Sequence, residues 1–112
     1  MTVKTITETR DDRRIFAGHD EAHTATGASG ITAATPALTP LMLDDATGKL
    51  VVWDGQKAGT AVGVLVLSLA GTETALTYWK TGTFATEALV WPDGVDAVKK
   101  ANAFSGSAIS HA

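Results

Sequence analysis

The chain has 112 residues, 45% of them hydrophobic, but 19 are Ala, 17 more residues are Thr and 11 are Gly, so large core-forming side chains are modest in number. It has no Cys, which removes disulfide frameworks, thiolate metal sites and Cys nucleophiles. The net charge of -3 argues against the basic face of a nucleic-acid binder.

A chain of this length fits one domain. Small domains bury a lower fraction of their surface, so part of the stability is expected from a partner surface. The longest strongly apolar stretch, Ala61 to Ala70, is about half of the roughly 20 residues a membrane-spanning helix needs. The N-terminal sequence MTVKTITETRDDRR has no apolar segment of the secretory-signal kind.

Charge is unevenly placed. Nine of the 21 charged side chains lie in the first 21 residues, and Ala22 to Leu43 carries no Asp, Glu, Lys or Arg. Such a shift marks a boundary between an arm and a body. Residues 1–14 are expected to form a flexible arm and residues 15–112 a single domain. Thr2 to Thr9 alternates β-branched with charged residues, which favours extended backbone. Val3 and Ile6 fall on opposite faces of a strand, so neither face can build a core. Two readings follow: a plain tail, or a strand that adds to a partner's sheet edge on binding.

Thr24 to Pro40 has no helical period and reads as irregular chain running over the body. Its lack of charge argues that it packs against something. Leu41-Met42-Leu43 is a short strand, Asp44 to Gly48 a turn, and Lys49 to Trp53 a strand stopped by Asp54-Gly55. Ala61 to Leu67 is the strongest strand, β-branched and bounded by glycines. Ala70 to Glu73 suits a hairpin loop leading to a strand over Thr74 to Trp79. Thr83-Phe84 continues the sheet after a Thr81-Gly82 turn. Ala85 to Leu89 suits a helical turn. One helix is expected near the C-terminus, with Asp93 as N-cap, Asp96 three residues later, and Gly106 past its end.

Candidate chemistry is sparse. His19 and His23 stand at i and i+4, a spacing that suits zinc on a helix. The metalloprotease pattern needs Glu directly after the first His, and Asp20 holds that place. A surface turn is the preferred reading. Neither a nucleophile elbow nor a phosphate loop occurs, and adjacent carboxylates such as Asp11-Asp12 and Asp44-Asp45 point apart in extended chain. Trp53, Tyr78, Trp79 and Trp91 read as core or subunit interface in preference to a stacking platform for ligand. No enzyme, metal or cofactor is expected.

Several stretches, in order along nearly the whole chain, match one family. They are Ala22 to Thr26, Pro36 to Asp44, Gly48 to Gly55, Ala61 to Leu65, Thr77 to Phe84, Trp91-Pro92, Lys99 to Phe104 and Gly106 to Ser110. Through them the chain resembles the head decoration proteins of lambdoid bacteriophages, the head protein D family. It departs at Glu21, where the family often has Pro, and at Trp79, where a smaller aromatic is common.

The resemblance implies a mainly β fold of the β-clip kind with one or two short helices. It implies a non-enzymatic homotrimer on the outer surface of the expanded capsid, made in the host cytoplasm and carried on the virion. The partner is the major capsid protein, at three-fold sites, with no contact to nucleic acid or membrane. The shell is thereby stabilised against packaged-DNA pressure. The expected capsid contacts are Thr2, Val3, Thr5, Ile6, Thr7, Arg10, Arg13 and Arg14 in the arm, with His19, His23 and Thr24 at the junction. The alternative is a phage surface adhesin for a host glycan or protein.

Overall fold

The computed structural model describes residues 16–17 and 21–112. They form a mainly β structure with one short helix. The strands are β1 (Thr24–Ala28), β2 (Pro40–Leu43), β3 (Leu50–Val52), β4 (Ala61–Leu65), β5 (Ala75–Trp79), β6 (Thr81–Phe84) and β7 (Ala108–His111). A 3-10 turn spans Thr86–Ala88, and helix α1 spans Ala97–Ala101.

Five strands make an antiparallel sheet in the order β1-β5-β4-β2-β3. The chain after β1 then reaches the far edge of that sheet. Ser29 forms a parallel bridge with Leu50, and the Gly30 N–H donates to the Leu50 carbonyl at 2.8 Å. The sheet is thus bent towards closure, which covers part of its β3 edge. β6 and β7 form a separate parallel pair.

The apolar side chains divide into two clusters. One centres on Trp53, Phe84 and Val64, with Leu89, Phe104 and Ile109 around them. The other holds Ile31, Leu41, Leu50, Leu65, Leu69 and Leu76. β4 serves both. The register slips between Leu41 and Met42, so that Gly63 and Ala61 face them and Val62 is the extra residue. This bulge breaks strict alternation and turns Ala61 and Val64 to the first cluster, Val62 and Leu65 to the second. Gly63 is required by contact: a Cβ there would lie 2.5 Å from Tyr78 Cδ2 and 2.9 Å from the Trp79 carbonyl oxygen. Of the four aromatics singled out in the sequence, Trp53 is fully buried, and Trp79 and Trp91 pack partly buried against the first cluster. Tyr78 packs against the second.

The structure corrects several local expectations. Thr24 to Pro40 is not irregular throughout. Its first five residues form β1, held by β5 over the full register from Thr24 opposite Trp79 to Ala28 opposite Ala75. The strong apolar run ends as a strand at Leu65. Val66 and Leu67 bend away, and Leu67 is 68% exposed because nothing apolar meets it. Ala70 to Glu73 is part of a longer connection over 66–74, pinned by an antiparallel bridge between Thr35 and Leu69. The Glu73 carboxylate closes it by accepting from the Ala70, Gly71 and Thr72 N–H groups at 3.0, 3.0 and 3.1 Å.

Thr81-Gly82 is not a turn. The chain passes through Lys80 directly from β5 into β6. The helix begins later than Asp93, because Gly94 has φ +79, which no right-handed helix admits. Asp96 is the N-cap instead, its carboxylate accepting from the Lys99 N–H at 2.8 Å. β7 was not anticipated. It is held by a parallel, long-range pairing of Thr81 with Ala108 through Phe84 with His111.

Candidate functional site

The sequence points to the arm and the arm–body junction. Thr2, Val3, Thr5, Ile6, Thr7, Arg10, Arg13, Arg14 and His19 lie outside the described residues. His23 and Thr24 are described, and so are Phe16 and Ala17.

The first described residues are Phe16 and Ala17. Phe16 bridges antiparallel to Phe84, and the Ala17 N–H donates to the Thr83 carbonyl at 2.9 Å. The Phe16 ring meets Trp79 edge-on with centroids 5.5 Å apart, and lies 5.1 Å from Phe84. Such aromatic pairs contribute about 0.5–1.5 kcal/mol beyond their area. β6 is therefore flanked by Phe16-Ala17 on one side and by β7 on the other. Trp79 supplies part of the surface on which Phe16 rests. Sequence reasoning missed Phe16 as an anchor. Its signal was its position, as the first aromatic after the charged run.

A second fastening follows at Glu21 to Thr24. The His23 N–H donates to the Thr81 hydroxyl oxygen at 2.9 Å, and that hydroxyl donates to the Glu21 carbonyl at 3.2 Å. The Lys80 N–H donates to the His23 carbonyl at 2.8 Å. Ala22 runs so close to β6 that a Cβ on Gly82, whose φ is +130, would sit 3.1 Å from the Ala22 Cβ. One threonine hydroxyl thus ties both ends of a three-residue step. The His23 ring points outward and meets the Glu21 carboxylate at 3.2 Å, both side chains well exposed. Thr24 opens β1, also exposed.

This region offers main-chain edges and exposed polar side chains. Among its described residues the one His–carboxylate pair, His23 with Glu21, is exposed. Among the described residues no group of three or more His, Asp or Glu side chains is placed to hold a metal ion, and no helix is long and apolar enough to cross a membrane. The remaining histidine, His111, has structural partners at both ring nitrogens. Nε2 lies 2.6 Å from the Lys100 carbonyl and Nδ1 lies 2.7 Å from the Thr86 hydroxyl. A carbonyl only accepts, so Nε2 carries a proton, and in the neutral ring Nδ1 accepts from Thr86. The imidazole joins the 3-10 turn, α1 and β7, and its edge packs on Trp91.

The chain has relatives in sequence. The model of the family described as bacteriophage lambda head decoration protein D matches residues 5–112. The chain belongs to that family. The Head decoration protein of Enterobacteria phage P21 is 76% identical over 112 residues, covering 100% of this chain and 97% of the relative. A second relative, from Escherichia phage N15, is 46% identical over 106 residues, covering 94% of this chain and 96% of its own. At the junction Glu21 takes part through both its main chain and its side chain. Its carbonyl receives the Thr81 hydroxyl and its carboxylate faces His23.

Proposed function

We propose that this chain is a phage capsid decoration protein that binds as a homotrimer to three-fold sites on the outside of the expanded head and braces it against packaged-DNA pressure. The observation that carries this reading is the family match over residues 5–112 together with 76% identity to a head decoration protein over the whole chain. The action is mechanical and non-enzymatic, the partner is the major capsid protein, and neither nucleic acid nor membrane is bound. Residues 1–14 serve as the binding arm and 15–112 as the decoration domain.

The physical chemistry is consistent with this division of labour. The arm has strand-forming residues without a core-forming face. Ordering it costs roughly 1–2 kcal/mol per residue in backbone entropy. One arm therefore binds weakly. Three arms on one symmetric site gain roughly 10²–10⁴ in avidity where the geometry permits. Phe16 and Ala17, fastened to β6, tether the proposed arm to the body.

Deletion of residues 2–14 tests the reading. The truncated protein should remain a folded trimer by sedimentation and fail to decorate expanded shells in electron micrographs. Saturation of shells at wild-type affinity would sink the arm assignment. A wild-type protein that ignores expanded shells and captures a host glycan or surface protein would replace decoration with adhesion.

A further inference from the structure

We propose that Asp93-Gly94 is a self-modification site, at which the folded protein converts aspartate to isoaspartate through a succinimide. The inference stands independently of the decoration reading.

The chain contains two Asp-Gly pairs, Asp54-Gly55 and Asp93-Gly94, and a single Asn, which Ala follows. A glycine after aspartate has no Cβ to shield its main-chain nitrogen. That nitrogen attacks Cγ of the protonated Asp carboxyl. An N–Cγ bond forms, a Cγ–O bond breaks, and the amide proton leaves with the hydroxyl as one water. Water then adds to either carbonyl of the succinimide ring. Addition at Cγ breaks the N–Cγ bond and restores aspartate. Addition at the main-chain carbonyl breaks the original peptide C–N bond, and the chain then runs through Cβ and Cγ. One water leaves and one enters, no electron is transferred, and solvent is the only co-reactant.

The structure separates the two pairs. Ring closure requires the carboxyl to swing onto the next nitrogen and the intervening peptide to rotate. At Asp54 both movements are opposed. Its Oδ1 accepts from the Gln56 N–H at 3.0 Å. Gly55 is buried, and Val95 Cγ2 lies 2.5 Å from where a Cβ would stand. At Asp93 both movements have room. Asp93 and Gly94 are exposed and form a turn, and nothing described lies within 4 Å of the Cβ position on Gly94. Among the described residues none hydrogen-bonds to the Asp93 carboxylate or to the Gly94 N–H.

Other candidates are restrained as Asp54 is. The Asp96 carboxylate accepts from the Lys99 N–H at 2.8 Å, and Asp44 Oδ1 accepts from the Ala46 and Thr47 N–H groups at 2.8 and 3.1 Å. The Asn102 side-chain amide donates to the Val98 carbonyl at 3.0 Å, and the next residue, Ala103, is buried. Both flanks of the reactive turn are anchored. The Trp91 indole N–H donates to the Thr86 carbonyl at 3.0 Å, and Asp96 caps α1. The extra main-chain carbon of isoaspartate is therefore taken up within the exposed turn.

Prolonged incubation of the full-length protein at neutral pH, then digestion and peptide mass spectrometry, tests the assignment. Isoaspartate has the mass of aspartate. It is read from the separate elution of two peptides of equal mass and from methylation by an isoaspartyl-specific methyltransferase. In the folded protein, conversion at Asp93 should be at least about tenfold faster than at Asp54. In guanidinium chloride, where the turn and the buried Gly55 are both lost, that excess should collapse. Asp93→Glu cannot close the five-membered ring and should remove the signal at this position. Equal conversion at the two pairs in the folded protein would overturn the proposal. So would conversion at Asp93 in denaturant only, an excess that persists in denaturant, or a signal that survives Asp93→Glu.

Discussion

Trp53 and Phe16 are both aromatic anchors, yet they hold different things. Trp53 has no exposed surface, and its indole N–H donates to the Thr60 hydroxyl at 2.8 Å. Its main-chain N–H donates to the Pro40 carbonyl at 2.9 Å. Phe16 is 39% exposed and touches the body through Trp79 and Phe84. The first is fixed from all sides, so it specifies the fold. Among the described residues the second meets the rings of Trp79 and Phe84 at the edge of β6, so it holds an edge and not the centre. The same physics of burial serves the core in one place and an edge in the other.

The largest expected effect breaks the first half of that contrast. Trp53→Ala should cost about 3–5 kcal/mol in urea denaturation, because it empties the centre of the first cluster and orphans the partners of the ring. Phe16→Ala should leave the body far more stable than Trp53→Ala does. Comparable losses in the two variants would show that Phe16 belongs to the core.

What the sequence made legible follows the same line. β2, β3 and β4 are rich in Leu, Val or Met and have Asp or Gly close by in the sequence, so local chemistry marks them. β1 has no large apolar residue, and its strand character comes from β5 alongside it. β7 pairs in parallel with a segment more than twenty residues away, a contact that no local pattern can announce. Helix α1 was legible in kind and misplaced at its start, because the sign of φ at Gly94 is not written in the residue type. At the candidate site, His23 and Thr24 were marked by the charge break. Phe16, Ala17 and Thr81 were not, since an anchor made of main-chain bonds and one hydroxyl has no composition of its own.

A smaller effect concerns the second cluster's border. The Glu73 carboxyl is held below the usual carboxylate range, first by the Ala70 N–H, then by those of Gly71, Glu73 itself and Thr72, with desolvation opposing them. A depressed carboxyl adds stability that is present above its unfolded value of about 4.3 and is lost as pH falls through the lower folded value. The melting temperature of wild type should therefore exceed that of Glu73→Gln at neutral pH, and the two should converge on acidification below about pH 4. A gap that persists in acid would mean that the side chain acts through something other than its charge, and no gap at neutral pH would mean that the loop over 66–74 is held by its Leu69–Thr35 bridge and not by the carboxylate.

The smallest effects separate main chain from side chain at the junction. Thr81→Val removes the hydroxyl that receives the His23 N–H and donates to the Glu21 carbonyl. Each such bond contributes about 0.5–1.5 kcal/mol net, so thermal melting should register the change. Glu21→Ala removes only an exposed partner of the His23 ring and leaves the Glu21 carbonyl in place. Exposed ion pairs are screened and entropically loose, so the melting temperature should not move. Should Glu21→Ala lower the melting point as far as Thr81→Val, the His23–Glu21 side-chain pair would be what fastens the junction. If only Thr81→Val does so, the fastening is main-chain, and the exposed faces of Glu21 and His23 are left available to a partner.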